Sequence, residues 1–146
     1  MRLELTLNER PAVLECAPDE RILDLLRREG LTSVRATCGI GICGACTVLM
    51  DGEPVSGCLL LAAQAAGREI TTLEGLPAEH PVPRAFDAEH AFQCGWCTPG
   101  MILTAKRLLE EIPQPSDQQI ADGLGGNLCR CGCYVKIRAA VRRAAA

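Results

Sequence analysis

Ten cysteines in a chain of 146 residues fall in clumps. Cys38, Cys43, Cys46 and Cys58 form one set, Cys94, Cys97, Cys129, Cys131 and Cys133 lie further on, and Cys16 stands apart. A deprotonated thiol is a soft anionic ligand and a redox group, so clumped cysteines point to a metal centre or to electron chemistry. The first set is spaced C-x4-C-x2-C-x11-C. The second is a C-x2-C pair, 31 intervening residues and a C-x-C pair, with Cys133 two residues beyond.

The first spacing is that of plant-type [2Fe-2S] ferredoxins, and the chemistry explains it. Two irons bridged by two sulfides need four thiolates turned inward, three of them from one tight loop. Such a loop needs unusual φ angles, which Gly39, Gly41 and Gly44 tolerate. Their amides can also reach sulfur, and hydrogen bonds to sulfur help set a cluster's potential. A four-cysteine zinc site competes with this reading, although zinc ribbons show two C-x2-C knuckles and only Cys43 and Cys46 have that form here. The bland alternative is four small buried hydrophobes. Gly39-Ile40-Gly41-Ile42-Cys43-Gly44 also satisfies G-x-G-x-x-G, but a dinucleotide loop opens a helix. The run Thr47-Val48-Leu49 that follows is strand-like, so nucleotide binding is rejected at this loop.

Cys94-Gly95-Trp96-Cys97 alone is ambiguous, because ahead of Thr98-Pro99 it can be a redox dithiol at a helix start. The return of Cys129-Arg130-Cys131 after Gly125-Gly126-Asn127 suggests two facing turns that close on one centre, a cluster or zinc. Cys133 is either a competing ligand or an idle neighbour. Cys16, at an alternating position, reads as core, and His80 and His90 read as surface residues.

These sets need a scaffold. Leu3, Leu5 and Leu7 alternate with polar residues, as do Ala12, Leu14 and Cys16 after a turn at Asn8–Pro11, which predicts a hairpin. Asp19 is placed to cap a helix with Ile22, Leu25 and Leu26 on its apolar stripe and Gly30 at its end. Thr47–Met50, a turn at Asp51-Gly52, and Pro54–Ser56 read as a second hairpin. A short helix over Leu59–Ala66 and a last strand over Arg68–Leu73 complete a small α+β unit. Pro77, Pro81 and Pro83 read as a connector, and beyond it the period is helical. Thr98 is placed as the cap of a helix lined by Ile102, Ala105, Leu109 and Ile112. Ser116 and Gln119 form a capping-box pair. Tyr134, Ile137 and Val141 mark the face of a last helix. The helical half has few large side chains, which predicts little core of its own and folding that depends on its metal.

Composition excludes several classes. The formal charge of −3 and only four aromatic residues (two Phe, one Trp, one Tyr) argue against a nucleic-acid partner. The first 25 residues carry nine charges, so a secretory signal is not expected, and no stretch is apolar enough to span a bilayer. A cytoplasmic chain, in which disulfides do not persist, is the expectation.

At TCGIGICGACTV, SGCLL, QCGWCTPGMI and GGNLCRC the chain resembles the small iron–sulfur subunit of the molybdenum hydroxylases, the xanthine dehydrogenase family. The likeness runs over essentially the whole chain. It implies an α+β fold, with an N-terminal β-grasp ferredoxin-like domain over 1–76 and an all-α four-helix domain over 77–146. It further implies that Cys38, Cys43, Cys46 and Cys58 hold one [2Fe-2S] cluster, and that Cys94, Cys97, Cys129 and Cys131 hold another. Gln93 and Cys131 are implied as contacts to the molybdopterin cofactor. That cofactor belongs to a large subunit, and FAD belongs to a medium subunit or gives way to another acceptor. The implied activity is electron transfer from the molybdenum centre through the two clusters; the alternative is a free-standing two-cluster ferredoxin. The chain departs from the family's C-R-C-T-G-Y in reading Cys129-Arg130-Cys131-Gly132-Cys133-Tyr134.

Overall fold

The computed structural model describes all 146 residues. Strands β1 (Arg2–Leu7) and β2 (Arg10–Glu15) pair antiparallel, with Leu3 opposite Leu14 and Leu5 opposite Ala12. Strands β3 (Thr47–Met50) and β4 (Glu53–Ser56) form the second hairpin, turned at Asp51-Gly52, where both residues have positive φ. The short β5 (Glu69–Thr71) joins the hairpins, parallel to β1 and antiparallel to β3, in the order β2-β1-β5-β3-β4. Period-2 patterning puts Leu3, Leu5, Val48 and Ile70 on one buried face. Helix α1 (Ile22–Arg28) lies in the same core through Ile22, Leu25 and Leu26. Each such fully buried aliphatic side chain contributes about 1.5–3 kcal/mol. This is the β-grasp arrangement.

Four helices follow: α2 (Pro81–Ala88), α3 (Thr98–Glu111), α4 (Asp117–Gly123) and α5 (Tyr134–Ala144). Fifteen buried residues join them, Phe86, Met101, Ile120 and Ile137 among the largest. The expectation of little helical core is therefore wrong. Many small side chains, with Cys129 and Cys133 among them, fill what few large ones would have filled.

Six local expectations also shift. Asp19 does not cap α1: Arg21 occupies the N-cap without a side-chain bond. The free amides of Ile22 and Leu23 donate instead to the carbonyls of Leu60 and Gly57, at 2.8 and 3.1 Å. The loop around Cys58 thus does the work of a cap. The helix expected over Leu59–Ala66 is a 3-10 turn at Ala62–Ala65, and the last strand is shorter than read. Pro81 and Pro83 are not in a connector: Pro81 opens α2 at the first helical position and Pro83 lies in its first turn, where a missing N–H costs nothing, and His80 Nδ1 accepts from Val82 N–H at 3.2 Å. Helix α3 starts one residue earlier than read, with Cys97 rather than Thr98 at its cap. Its buried surface also exceeds one stripe, because Met101, Leu103, Thr104 and Leu108 are buried beside Ile102 and Ala105. The sheet half covers one side of α3 and the other helices cover the rest. The capping box of Ser116 and Gln119 forms as read.

Candidate metal centres

Three of the first four cysteines sit on the loop between α1 and β3. Its base is closed by Arg35 N–H donating to the Ala45 carbonyl at 3.2 Å. Within it, Cys43 N–H donates to Cys38 Sγ and Ala45 N–H to Cys43 Sγ, both at 3.5 Å. Cys58 arrives from the end of β4, and its N–H donates to Cys46 Sγ at 3.4 Å. Gly44 shows why the loop needs glycine. Its φ is +70°, and a Cβ there would stand 2.4 Å from the Gly126 carbonyl oxygen.

The electrostatics sort the thiols. Cys38 is pulled down to about 6, first by the Cys43 backbone N–H and then by those of Ile40 and Ile42. Burial pushes Cys46 up to about 11. Arg21, whose Nε is held 2.7 Å from Asp24 Oδ2, lies near the Cys58 and Cys46 thiols, a cation set against anionic sulfur. The thiols meet in pairs: Cys38 interacts directly with Cys43, and Cys46 with Cys58.

Five thiols, not four, gather in the helical half. Cys94 and Cys97 occupy the loop into α3, and Cys129, Cys131 and Cys133 the loop into α5. Trp96 N–H donates to Cys94 Sγ at 3.5 Å, and Cys133 N–H to Cys129 Sγ at 3.4 Å. Cys129 N–H is taken by Tyr134 Oη at 2.8 Å. Cys97, pushed up to about 12 by burial, pairs with Cys129. Burial also acts on Cys129, yet the Cys133 amide and the Cys97 thiol bring it below its ordinary value. Cys133 is buried against Cys129, whereas Cys131 is half-buried and Cys94 exposed. Gln93 is exposed beside Cys94. Cys16 is core, as read; His80 is half-buried and caps α2, and His90 is exposed.

The two sets share a boundary. Leu128 N–H donates to the Cys43 carbonyl at 2.9 Å, one residue from Cys129. Asn127, 5% exposed, donates from Nδ2 to the Gly44 carbonyl (3.1 Å) and Thr47 Oγ1 (3.3 Å), and its Oδ1 accepts from Thr104 Oγ1 at 2.9 Å. The Gly44 carbonyl also lies 2.4 Å from where a Cβ on Gly100 would stand, so α3 packs directly on the first cysteine loop. Arg21, Asn127, Trp96 and Tyr134 were not singled out in the sequence for these contacts. The available signal for Asn127 was an amide beside a cysteine pair, and for Tyr134 a hydroxyl five residues from Cys129; Arg21 had none, because the thiols it faces are remote in the chain.

Each set fits a binuclear iron–sulfur group. The donors are thiols, backbone amides aim at sulfur in both, and the thiols of the first set meet two by two, as a core in which each iron takes two thiolates requires; in the second, Cys97 and Cys133 both meet Cys129. No three of the Cys, His, Asp and Glu side chains close on one point as a single ion needs.

Comparison with known proteins agrees. Residues 5–73 match the family described as "2Fe-2S iron-sulfur cluster binding domain", and residues 72–142 match "[2Fe-2S] binding domain". The chain is 50% identical over 147 residues to the nicotinate dehydrogenase small FeS subunit of Eubacterium barkeri, covering 97% of this chain and 93% of that one. It is 44% identical over 141 residues to the xanthine dehydrogenase iron-sulfur-binding subunit of Escherichia coli O157:H7, covering 92% and 88%. The crystal structure of quinoline 2-oxidoreductase from Pseudomonas putida 86 superposes with a TM-score of 0.95 at 42% identity, covering 99% of this chain and 92% of that one. With both cysteine sets in place on a β-grasp sheet and a four-helix domain, the chain belongs to the small iron–sulfur subunits of the molybdenum hydroxylases, the xanthine dehydrogenase family.

Proposed function

We propose that this chain is the electron relay of a multi-subunit molybdenum hydroxylase, taking single electrons from a molybdopterin centre on a large subunit, then delivering them to FAD or another acceptor on a further partner. The observation that carries the reading is the pair of thiol sets joined at the Cys43–Leu128 hydrogen bond. Cys38, Cys43, Cys46 and Cys58 are assigned to one [2Fe-2S] cluster, and Cys94, Cys97, Cys129 and Cys131 to the other, with the division between the two units at 76/77. Bound there, each cluster supplies a one-electron step, so two in series can empty a centre that is reduced by two electrons. The protein's part is to neutralise and orient: Arg21 offsets negative charge at the first set, and amide N–H groups on sulfur stabilise the reduced state of both. Cys131 is preferred to Cys133 because it is half-buried where Cys133 is buried; Gln93 is exposed, and the family likeness supports both Gln93 and Cys131 as contacts to the molybdopterin of the large subunit.

Exposed apolar side chains beside both sets support a permanent subunit over a free shuttle. Ile40, Ile42 and Leu59 flank the first, and Phe92, Leu128 and Val135 the second. No helix is long and apolar enough to cross a membrane. Ten free cysteines support a reducing, cytoplasmic compartment. The relatives above are named for nicotinate, xanthine and quinoline. Each is a nitrogen heteroaromatic, and that is the substrate class proposed for the holoenzyme.

The test is mild purification of the tagged chain, with identification of what accompanies it. Expected are a large subunit with molybdenum, a flavin or other redox subunit, and about four iron and four labile sulfide per small chain. A lone chain that carries zinc and no sulfide overturns the proposal.

A further inference from the structure

We infer that Trp96 is a positioning residue for electron transfer between the two centres, holding the loop of Cys94 and Cys97 against the loop of Cys38 through its bond to Thr37 and its stack with Arg35. The inference rests on the ligand assignment above and adds a side chain outside both ligand sets.

Trp96 stands between Cys94 and Cys97, and its own N–H is already aimed at Cys94 Sγ. Its indole Nε1–H donates to Thr37 Oγ1 at 2.7 Å, and Thr37 is the neighbour of Cys38. The guanidinium carbon of Arg35 lies 4.8 Å from the ring centroid, within cation–π range. Arg35 is itself fixed at the base of the first loop by its backbone bond to Ala45. Its Nε is buried without a hydrogen-bond partner, and the Trp96 ring is the group its guanidinium faces. An indole that is 44% exposed is not immobilised by burial. Here it is pinned at its edge by Thr37 and on its face by Arg35.

The arrangement has a mechanical consequence. The Leu128–Cys43 bond anchors the loop that carries Cys129 and Cys131. Cys94 and Cys97 belong to a different loop, 31 residues earlier in the chain, which is held at its Cys97 end where α3 packs on Gly44 and needs a second hold toward Cys94. Trp96 to Thr37 is that second anchor. Tunnelling between two centres falls steeply with their separation, so fixing both loops of the second set fixes the coupling. Phenylalanine in this position would keep the ring and lose the anchor, because only the indole carries the N–H.

The experiment uses the holoenzyme carrying Trp96→Phe, Thr37→Val or both. Iron and sulfide are counted first: a wild-type enzyme without two clusters sinks the ligand assignment, separately from this inference. With four iron retained, each single variant is expected to exchange amide hydrogens in segments 35–47 and 92–98 about three- to tenfold faster, the worth of one net hydrogen bond. Low-temperature EPR of the dithionite-reduced enzyme is expected to show a smaller and less uniform magnetic splitting between the two clusters. The two single variants should match, and the double variant should be no worse, because all three lose the same bond. Wild-type splitting in both single variants, or effects that add in the double, overturns the inference. Should Trp96→Phe fail to load iron, Thr37→Val, an exposed change outside both ligand sets, decides alone.

Discussion

Cysteine chemistry here is set by which sulfur receives amide hydrogens and which is sealed from water. Cys38 lies low because the backbone around it points N–H groups at its sulfur, whereas burial holds Cys46 and Cys97 high. A cluster removes that difference by binding all of its ligands as thiolates, so its assembly releases protons. The same reasoning separates Cys131 from Cys133. Cys133 contributes its amide to Cys129 and its side chain to the helical core; serine keeps the amide and nearly the same volume, at some cost in burying a hydroxyl. Cys133→Ser should therefore retain about four iron, and Cys131→Ser should fall to about two with one EPR signal lost, as iron analysis and EPR of the reduced protein will report. The opposite pattern would make Cys133 the ligand.

At the scale of elements, the contact between α3 and the first cysteine loop is tight enough to reverse an ordinary rule. Glycine inside a helix normally costs about 1 kcal/mol relative to alanine, so Gly100→Ala would stabilise an isolated α3. In the fold the added Cβ would meet the Gly44 carbonyl, and the expected outcome is a loss of about 1–3 kcal/mol in denaturant unfolding, with broadened EPR of the first cluster. The second hairpin supplies a pH test. Asp51 accepts the Glu69 N–H at 2.9 Å and pairs with Arg68 at 2.7 Å, and those contacts depress its pKa, the Glu69 amide foremost. A depressed carboxylate contributes stability above its unfolded value, about 3.9, and loses it as pH falls through the folded value. Asp51→Asn keeps a residue that suits positive φ and removes the charge, so its acid-unfolding profile below about pH 4 should be flatter than that of the wild type.

For the whole molecule, two centres in unlike surroundings should have unlike potentials. The first has Arg21 nearby and is wrapped by a glycine loop; the second sits against a helical core with an extra thiol beside it. An EPR-monitored redox titration is expected to give two reduction steps and two distinct signals. A single step with a single signal would mean equivalent sites. Removal of iron should disturb the joint between the halves before it disturbs either core, because Leu128, Asn127 and Trp96 make their bonds from the loops that iron holds. Circular dichroism of the iron-free chain should retain much of the signal of α2 and α3, with thermal unfolding no longer a single transition. This differs from the expectation drawn from composition alone, and the fifteen-residue helical core is the reason.

The spacing of Cys38, Cys43 and Cys46 was enough to point to the chemistry of the first set, since three ligands in one loop are local and local geometry is written in consecutive residues; the second set, split over two loops, left a cluster, zinc and a dithiol open until its likeness to a family was read. The hairpins, the turn at Asp51-Gly52, the capping box at Ser116 and the core role of Cys16 were legible for the same reason: each depends on neighbours within a few positions. What folding alone decided is everything that joins distant segments. Carbonyls of Gly57 and Leu60 replaced the Asp19 cap, α3 became buried on two sides, and Asn127, Trp96 and Arg21 acquired roles from partners up to 83 residues away. Such contacts leave no period in a sequence, because hydrogen bonds and close approaches between loops are fixed by where the packed cores place the backbone and not by the order of residues along it.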